Sequence, residues 1–187
     1  IMEREVMVDG KIVIDTEQNS ERRDGEIASF IEELRKNKSV KELVILHGSN
    51  LSDGTISDLI LHTLVGHPML EKLRVYRNNG LDQSTRSIRS LLDSGSCMLS
   101  ELTFRAHTSF PLKINVGALA EAIVQYGGIQ YLNLSHNRLD IGDFATLLDA
   151  ASRCRALITL DVSCNNIGNL NLLDGILQTH TPSRLRS

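Results

Sequence analysis

The feature that most constrains this chain is an internal repeat. Five segments share the pattern apolar-x-x-Leu-x-apolar: Val40 to Ile45, Leu70 to Val75, Leu99 to Phe104, Ile129 to Leu134 and Leu157 to Val162. Their starts lie 30, 29, 30 and 28 residues apart. The Leu-x-apolar half of the pattern has the two-residue period of a strand with one buried face. Between these segments run stripes at helical spacing: Ile56, Leu59, Ile60, Thr63 and Leu64; Ile88, Leu91 and Leu92; Leu119, Ala122 and Ile123; Phe144, Leu147, Leu148 and Ala151. Outer stripes run through Ile27, Phe30, Ile31 and Leu34, and through Leu170, Leu173, Ile176 and Leu177.

One strand and one helix cannot bury a shared apolar face alone. Such units have to stack, and roughly three are needed. The expected fold class is therefore α/β: a right-handed solenoid with a parallel sheet on the concave face and helices on the convex face. A single domain over residues 1–187 is expected. Residues 1–39 would be an N-terminal cap or first repeat, and 40–69, 70–98, 99–128, 129–156 and 157–181 the repeats.

Asparagine recurs five residues after the middle leucine, at Asn78, Asn137 and Asn165. An amide has two donor hydrogens and one acceptor oxygen. Stacked at the same bend of successive repeats, these asparagines are expected to satisfy backbone groups and bridge neighbouring coils. The first repeat places its asparagine at Asn50, two residues late. The third replaces it with Ala106-His-Thr-Ser-Phe-Pro-Leu112, which predicts an irregular loop.

Asp53, Ser84 and Asp143 stand where helix caps or first-turn acids belong. Gly66, Gly95 and Gly127-Gly128 stand where the helices should stop. Near the N-terminus, Val6 to Ile14 reads as a hairpin with an Asp9-Gly10 turn. Its second arm would be the first strand of the stack, and its first arm would shield that edge. Asn19 would be this unit's asparagine. At the other end no polar cap follows the last stripe. The expectation is that more repeats follow or that a second subunit covers this end, as in a homo-oligomer. Ile1 precedes Met2, which suggests a piece of a longer chain.

The period of 28 to 30 and the blocks Leu70 to Asn78, Ile129 to Asn137 and Leu157 to Asn165 resemble the ribonuclease-inhibitor-like class of leucine-rich-repeat proteins. The resemblance covers roughly residues 11 to 180. Members include ribonuclease inhibitor, the GTPase-activating protein of Ran, tropomodulin, innate immune sensor domains and pathogen effectors. It implies protein recognition through the concave sheet or its rims. The expected function is a non-enzymatic domain that binds a protein partner. The alternatives it implies are a regulator of a partner enzyme, such as a small-GTPase activator, and an actin-associated tropomodulin-like binder.

Composition narrows the classes. A net charge of −3 gives no general drive toward nucleic acid or an anionic membrane. Aromatics make up 4%, so leucine and isoleucine must carry the core. Cys97, Cys154 and Cys164 are too few for a disulfide framework and read as reduced thiols, which points to a cytoplasmic setting. No secretory leader or membrane span is expected, since no basic-then-apolar segment stands near residue 1 and no apolar run reaches about 18 residues. The N-x-S matches at Asn37, Asn50 and Asn133 are read as coincidence.

In a strand, residues between the core positions point to the opposite face. The concave rows are then Glu42, Lys72, Glu101, Tyr131 and Thr159; Val44, Arg74, Thr103, Asn133 and Asp161; and Leu46, Tyr76, Arg105, Ser135 and Ser163. Lys72, Arg74, Tyr76, Arg77 and Arg105 are expected to form a basic, aromatic-bearing patch, with Tyr131 beside it, as the partner-binding site. The competing reading is a solvated sheet in which Glu42 and Glu101 neutralise Lys72 across strands. His47, His62, His67, His107, His136 and His180 lack the short spacing of a metal site, and no metal or cofactor is expected. No phosphate-binding glycine loop or nucleophile elbow occurs, and no catalytic residue is assigned.

Overall fold

The computed structural model describes residues 4–8, 10–15, 32–46, 53–78, 82–94, 98–106 and 114–168. Within them seven strands form one sheet in strict sequence order. β1 (Arg4–Val8) and β2 (Lys11–Asp15) are antiparallel. From β2 onward every pairing is parallel, through β3 (Glu42–Leu46), β4 (Lys72–Asn78), β5 (Glu101–Ala106), β6 (Tyr131–Asn133) and β7 (Thr159–Asp161). The result is a mixed α/β fold with a six-strand parallel sheet and one antiparallel edge strand.

The helices are α1 (Asp53–Leu59), α2 (Asp82–Asp93), α3 (Val116–Tyr126) and α4 (Ile141–Arg153). α1 runs on as a wider π turn over Ile60–Leu64, closed by Val65 N–H donating to the Ile60 carbonyl at 3.2 Å. Residues 32–36 are also helical. Each helix packs against the next, so the helices form one layer over the sheet.

The register repeats without a slip at the core. Leu43, Leu73, Leu102 and Leu132 pair in turn and are at most 1% exposed. Ile45, Val75 and Phe104 form a second such row. Ile56, Leu59, Ile60, Leu64, Ile88, Leu91, Leu92, Leu119, Ala122 and Ile123 meet them from the helices. Burying side chains of this size is worth roughly 1.5–3 kcal/mol each, which makes the shared layer the main source of stability. In α4 only Leu147 and Ala150 are fully buried, and Phe144, Leu148 and Ala151 of the expected stripe are half-buried.

Ahead of each strand, one backbone carbonyl ties two repeats together. Gly10 O accepts from Lys41 N at 2.7 Å and Glu42 N at 3.1 Å. Lys41, Glu71, Ser100 and Gln130 carbonyls do the same for the following repeats, at 2.8 and 3.0 Å. Gly10 has φ +82, and a Cβ there would lie 2.9 Å from the Ser39 carbonyl, so this hairpin turn needs glycine.

The asparagines do bridge the bends. Asn137 is 2% exposed, and its Nδ2 donates to the Phe104 carbonyl at 2.6 Å and the Ser135 carbonyl at 3.2 Å. Asn165 Oδ1 accepts from Asn137 N and Leu139 N, and its Nδ2 donates to the Leu134 and Val162 carbonyls. Asn78 is the last residue of β4 and pairs with Ala106; its side chain lies outside the described residues, as do Asn19 and Asn50. So do residues 107–113, where the irregular loop is expected, and the stripe from Leu170 to Leu177.

Asp143 is the expected first-turn acid of α4, where it forms a capping box with Asp140 as the cap, and Asn115 caps α3. Gly127 ends α3 in the left-handed conformation, and Gly66 also has positive φ. Gly95 and the side chains of Asp53 and Ser84 lie outside the described residues. Cys154 and Cys164 are free thiols, the first buried and the second exposed, and Cys97 lies outside the described residues.

Candidate functional site on the open face of the sheet

The strand residues that do not face the helices line an open face. The observed register places Glu42, Lys72, Glu101, Tyr131 and Thr159 in one row, and Val44, Arg74, Thr103, Asn133 and Asp161 in the next. Tyr76 pairs with Arg105 in a third. Adjacent strands are about 4.8 Å apart, so neighbours in a row are within reach of each other.

Of the cations expected to form a basic patch, Lys72 and Arg74 do not stand free. Lys72 Nζ lies 2.7 Å from Glu101 Oε1. Arg74 forks between two carboxylates, with Nη2 at 2.7 Å from Glu101 Oε2 and Nη1 at 3.1 Å from Glu42 Oε1. Lys11 approaches the same Glu42 oxygen at 3.7 Å. That oxygen is buried and takes no well-aligned hydrogen bond, so its environment is Coulombic. Hence β2 to β5 carry a continuous ladder of alternating charge.

The ladder shifts the ionisation of its members. The hydrogen bond to Glu101 raises the Arg74 pKa against the opposing effect of partial burial. Burial pushes Glu101 up, but hydrogen bonds from Lys72 and Arg74 outweigh it and hold the carboxyl below its ordinary value.

From β5 to β7 the face changes character. Asn133 Nδ2 donates to Asp161 Oδ2 at 3.0 Å and to the Tyr131 hydroxyl oxygen at 3.2 Å. Asn133 Oδ1 accepts from the Ser135 backbone N–H at 2.9 Å and from its hydroxyl at 2.8 Å. Asp161 Oδ1 accepts from Ser163 N at 2.9 Å. Hydrogen bonds from the Ser163 backbone and hydroxyl, with the charges of Arg105 and His136, keep Asp161 below the usual carboxylate range. Because the Tyr131 oxygen accepts from Asn133, its own proton is left to donate elsewhere.

Tyr76, Arg105 and Tyr131 are half-buried on this face. Arg77 lies in β4, and its side chain is outside the described residues. Val44 and Thr103, though on the open face, are 5% and 2% exposed; both are short and lie in register with the longer Arg74. The Asn133–Asp161 bond was not foreseen, although the two share a row and their spacing contained the signal.

His67 stands five residues after His62 across a helix end, without the spacing of a metal ligand. It is 2% exposed, and its Nε2 lies 2.8 Å from the Asn37 carbonyl. A carbonyl only accepts, so Nε2 carries the proton. His67 and Asn37 occupy the same place in consecutive repeats, three residues before Leu70 and Val40. Among the described residues no cluster of His, Cys, Asp and Glu is disposed to hold a metal ion, and no helix is long and apolar enough to cross a membrane.

A parallel sheet built of strand-and-helix units in sequence order defines an α/β protein of repeat-like construction. A solved structure described as the tropomodulin C-terminal domain of Caenorhabditis elegans has a similar fold. It superposes with a TM-score of 0.59 at 17% identity, over 82% of this chain and 90% of that one. No protein-family model and no curated protein matches the sequence.

Proposed function

We propose that this chain is a ribonuclease-inhibitor-like leucine-rich-repeat solenoid, concave on its strand side, which binds a partner protein through that face and does no chemistry of its own. The observation that carries the reading is the fixed side-chain array from β4 to β7. Arg74 is held by two glutamates and Tyr131 by Asn133, which Asp161 fixes in turn. Side chains already held in place lose little freedom on binding, which lowers the cost of association. Tyrosine and arginine are also the types enriched where binding energy concentrates.

The proposed contact residues are Lys72, Arg74, Tyr76, Arg77, Arg105 and Tyr131. Lys72 and Arg74 act within the charge ladder, so they give orientation and selectivity. Tyr76, Arg105 and Tyr131 supply contact area. The repeat period and the bridging roles of Asn137 and Asn165 support the fold assignment. Free Cys154 and Cys164 support a cytoplasmic setting.

Proximity labelling with the wild-type chain and with Tyr76→Ala/Tyr131→Ala tests the reading. A partner labelled by the first and lost with the second is expected. If every labelled protein is shared by the two, the open face is not the binding surface.

A further inference from the structure

We infer that the rim ahead of β3 to β5 is a second docking surface, for an acidic amphipathic segment of a partner protein. It is separate from the open face and does not depend on it.

Met69 and Met98 each stand one residue before a core leucine, at the same place in consecutive repeats. They are 41% and 59% exposed, although their neighbours Leu70 and Leu99 are at most 1% exposed. Val65 and Leu61, at 37% each, continue the apolar character onto the end of the π turn that leads into this rim. Unbranched methionine side chains adapt to varied apolar partners. Exposed apolar residues gathered on one rim mark a contact site more than scattered ones do.

The occupant's charge follows from the adjoining lysines. Lys36, Lys38 and Lys41 are exposed, and among the described residues none of them forms an ion pair. Several arginines of the helix layer behave differently: exposed Arg35 pairs with Glu32, exposed Arg153 with Asp149, and half-buried Arg89 with Asp93 and Glu121. The hydrogen bonds of the rim bring lysines and methionines together. His67 ties its turn, two residues before Met69, to Asn37 between Lys36 and Lys38. The Lys41 carbonyl binds Glu71 N, and the Glu71 carbonyl binds Ser100 N, two residues after Met98. Glu71 is the acid in that row, and Lys41 precedes it in register. A segment with apolar side chains on one flank and carboxylates on the other would cover the methionines and neutralise the lysines together.

The test uses the full chain and a displayed library of random peptides. Recovered peptides should be rich in Asp and Glu, with apolar residues at helical spacing. They should bind about tenfold more weakly to Met69→Glu/Met98→Glu and to Lys38→Glu/Lys41→Glu. Added salt should weaken them as well. Met69→Ser/Met98→Ser provides a milder pair if the charged one fails to fold. Tyr76→Ala/Tyr131→Ala should leave these peptides bound, which separates this surface from the open face. Recovery of no peptide, of peptides without an acidic excess, or of peptides indifferent to the methionine variants would overturn the inference. So would self-association of the wild-type chain through Met69 and Met98 in sedimentation velocity, which would make a second copy the occupant.

Discussion

Asn165 Oδ1 accepts the backbone N–H of Asn137 at 2.7 Å, so the Asn165 side chain closes the bend of the preceding repeat. Asn137 passes the link on, since its own amide reaches back to the Phe104 carbonyl at 2.6 Å. The bends are therefore joined by side chains where the strands have ended.

Removing that link should be costly. Asn137→Ala leaves the Phe104 and Ser135 carbonyls without this donor in a buried site. A loss of about 2–3 kcal/mol is expected in urea unfolding. Asn137→Asp should be at least as damaging, because a carboxylate would face the Phe104 carbonyl. A loss below about 0.5 kcal/mol for both would show that water replaces the amide.

The charge ladder predicts an acid limb. Glu101 and Asp161 titrate below their ordinary values of 4.5 and 3.8. A carboxylate whose folded pKa is depressed adds stability that is present above the unfolded value and lost as pH falls through the folded one. Stability should then decline as the pH drops below about 4.5. Glu101→Gln should be less stable than wild type at neutral pH and should lose less on acidification. Parallel pH profiles for the two proteins would remove Glu101 from the ladder.

Gly10 makes a prediction about the edge hairpin. Gly10→Ala puts a Cβ 2.9 Å from the Ser39 carbonyl at φ +82, in the turn whose carbonyl holds Lys41 and Glu42. A cost of about 1–3 kcal/mol follows from such strain. At this chain length that lowers the melting midpoint by roughly 2–4 °C per kcal/mol. An unchanged midpoint would mean that the hairpin adds nothing to the stack.

His67→Phe should keep the apolar volume but leave the Asn37 carbonyl without its donor, for a loss of about 1–3 kcal/mol. His67→Gln should recover part of it. Equal stabilities for the two variants would show that packing, not the hydrogen bond, is what His67 provides.

The strand register was legible because a two-residue period and a repeat of 28 to 30 fix which side chains share a row. It places Tyr76 beside Arg105 and Glu42 beside Lys72, as the strand pairing does. Rows do not show diagonal reach. Arg74 lies one row over from Glu42 and Glu101, and its long fork takes both carboxylates. The neutralisation weighed beside the basic patch thus extends from Lys72 to Arg74. The Asp140 capping box was missed because Asp143, three residues later, is an equally good local signal. The burial of His67 was not legible because it depends on the Asn37 turn a whole repeat away.

The central claim is that the open face binds a protein. It is tested most directly by titrating the partner recovered by proximity labelling into the wild-type chain and into Arg105→Ala/Tyr131→Ala. Calorimetry should show binding weakened at least about tenfold, near 1.4 kcal/mol, with the variant's unfolding transition intact. An unchanged dissociation constant would contradict the claim.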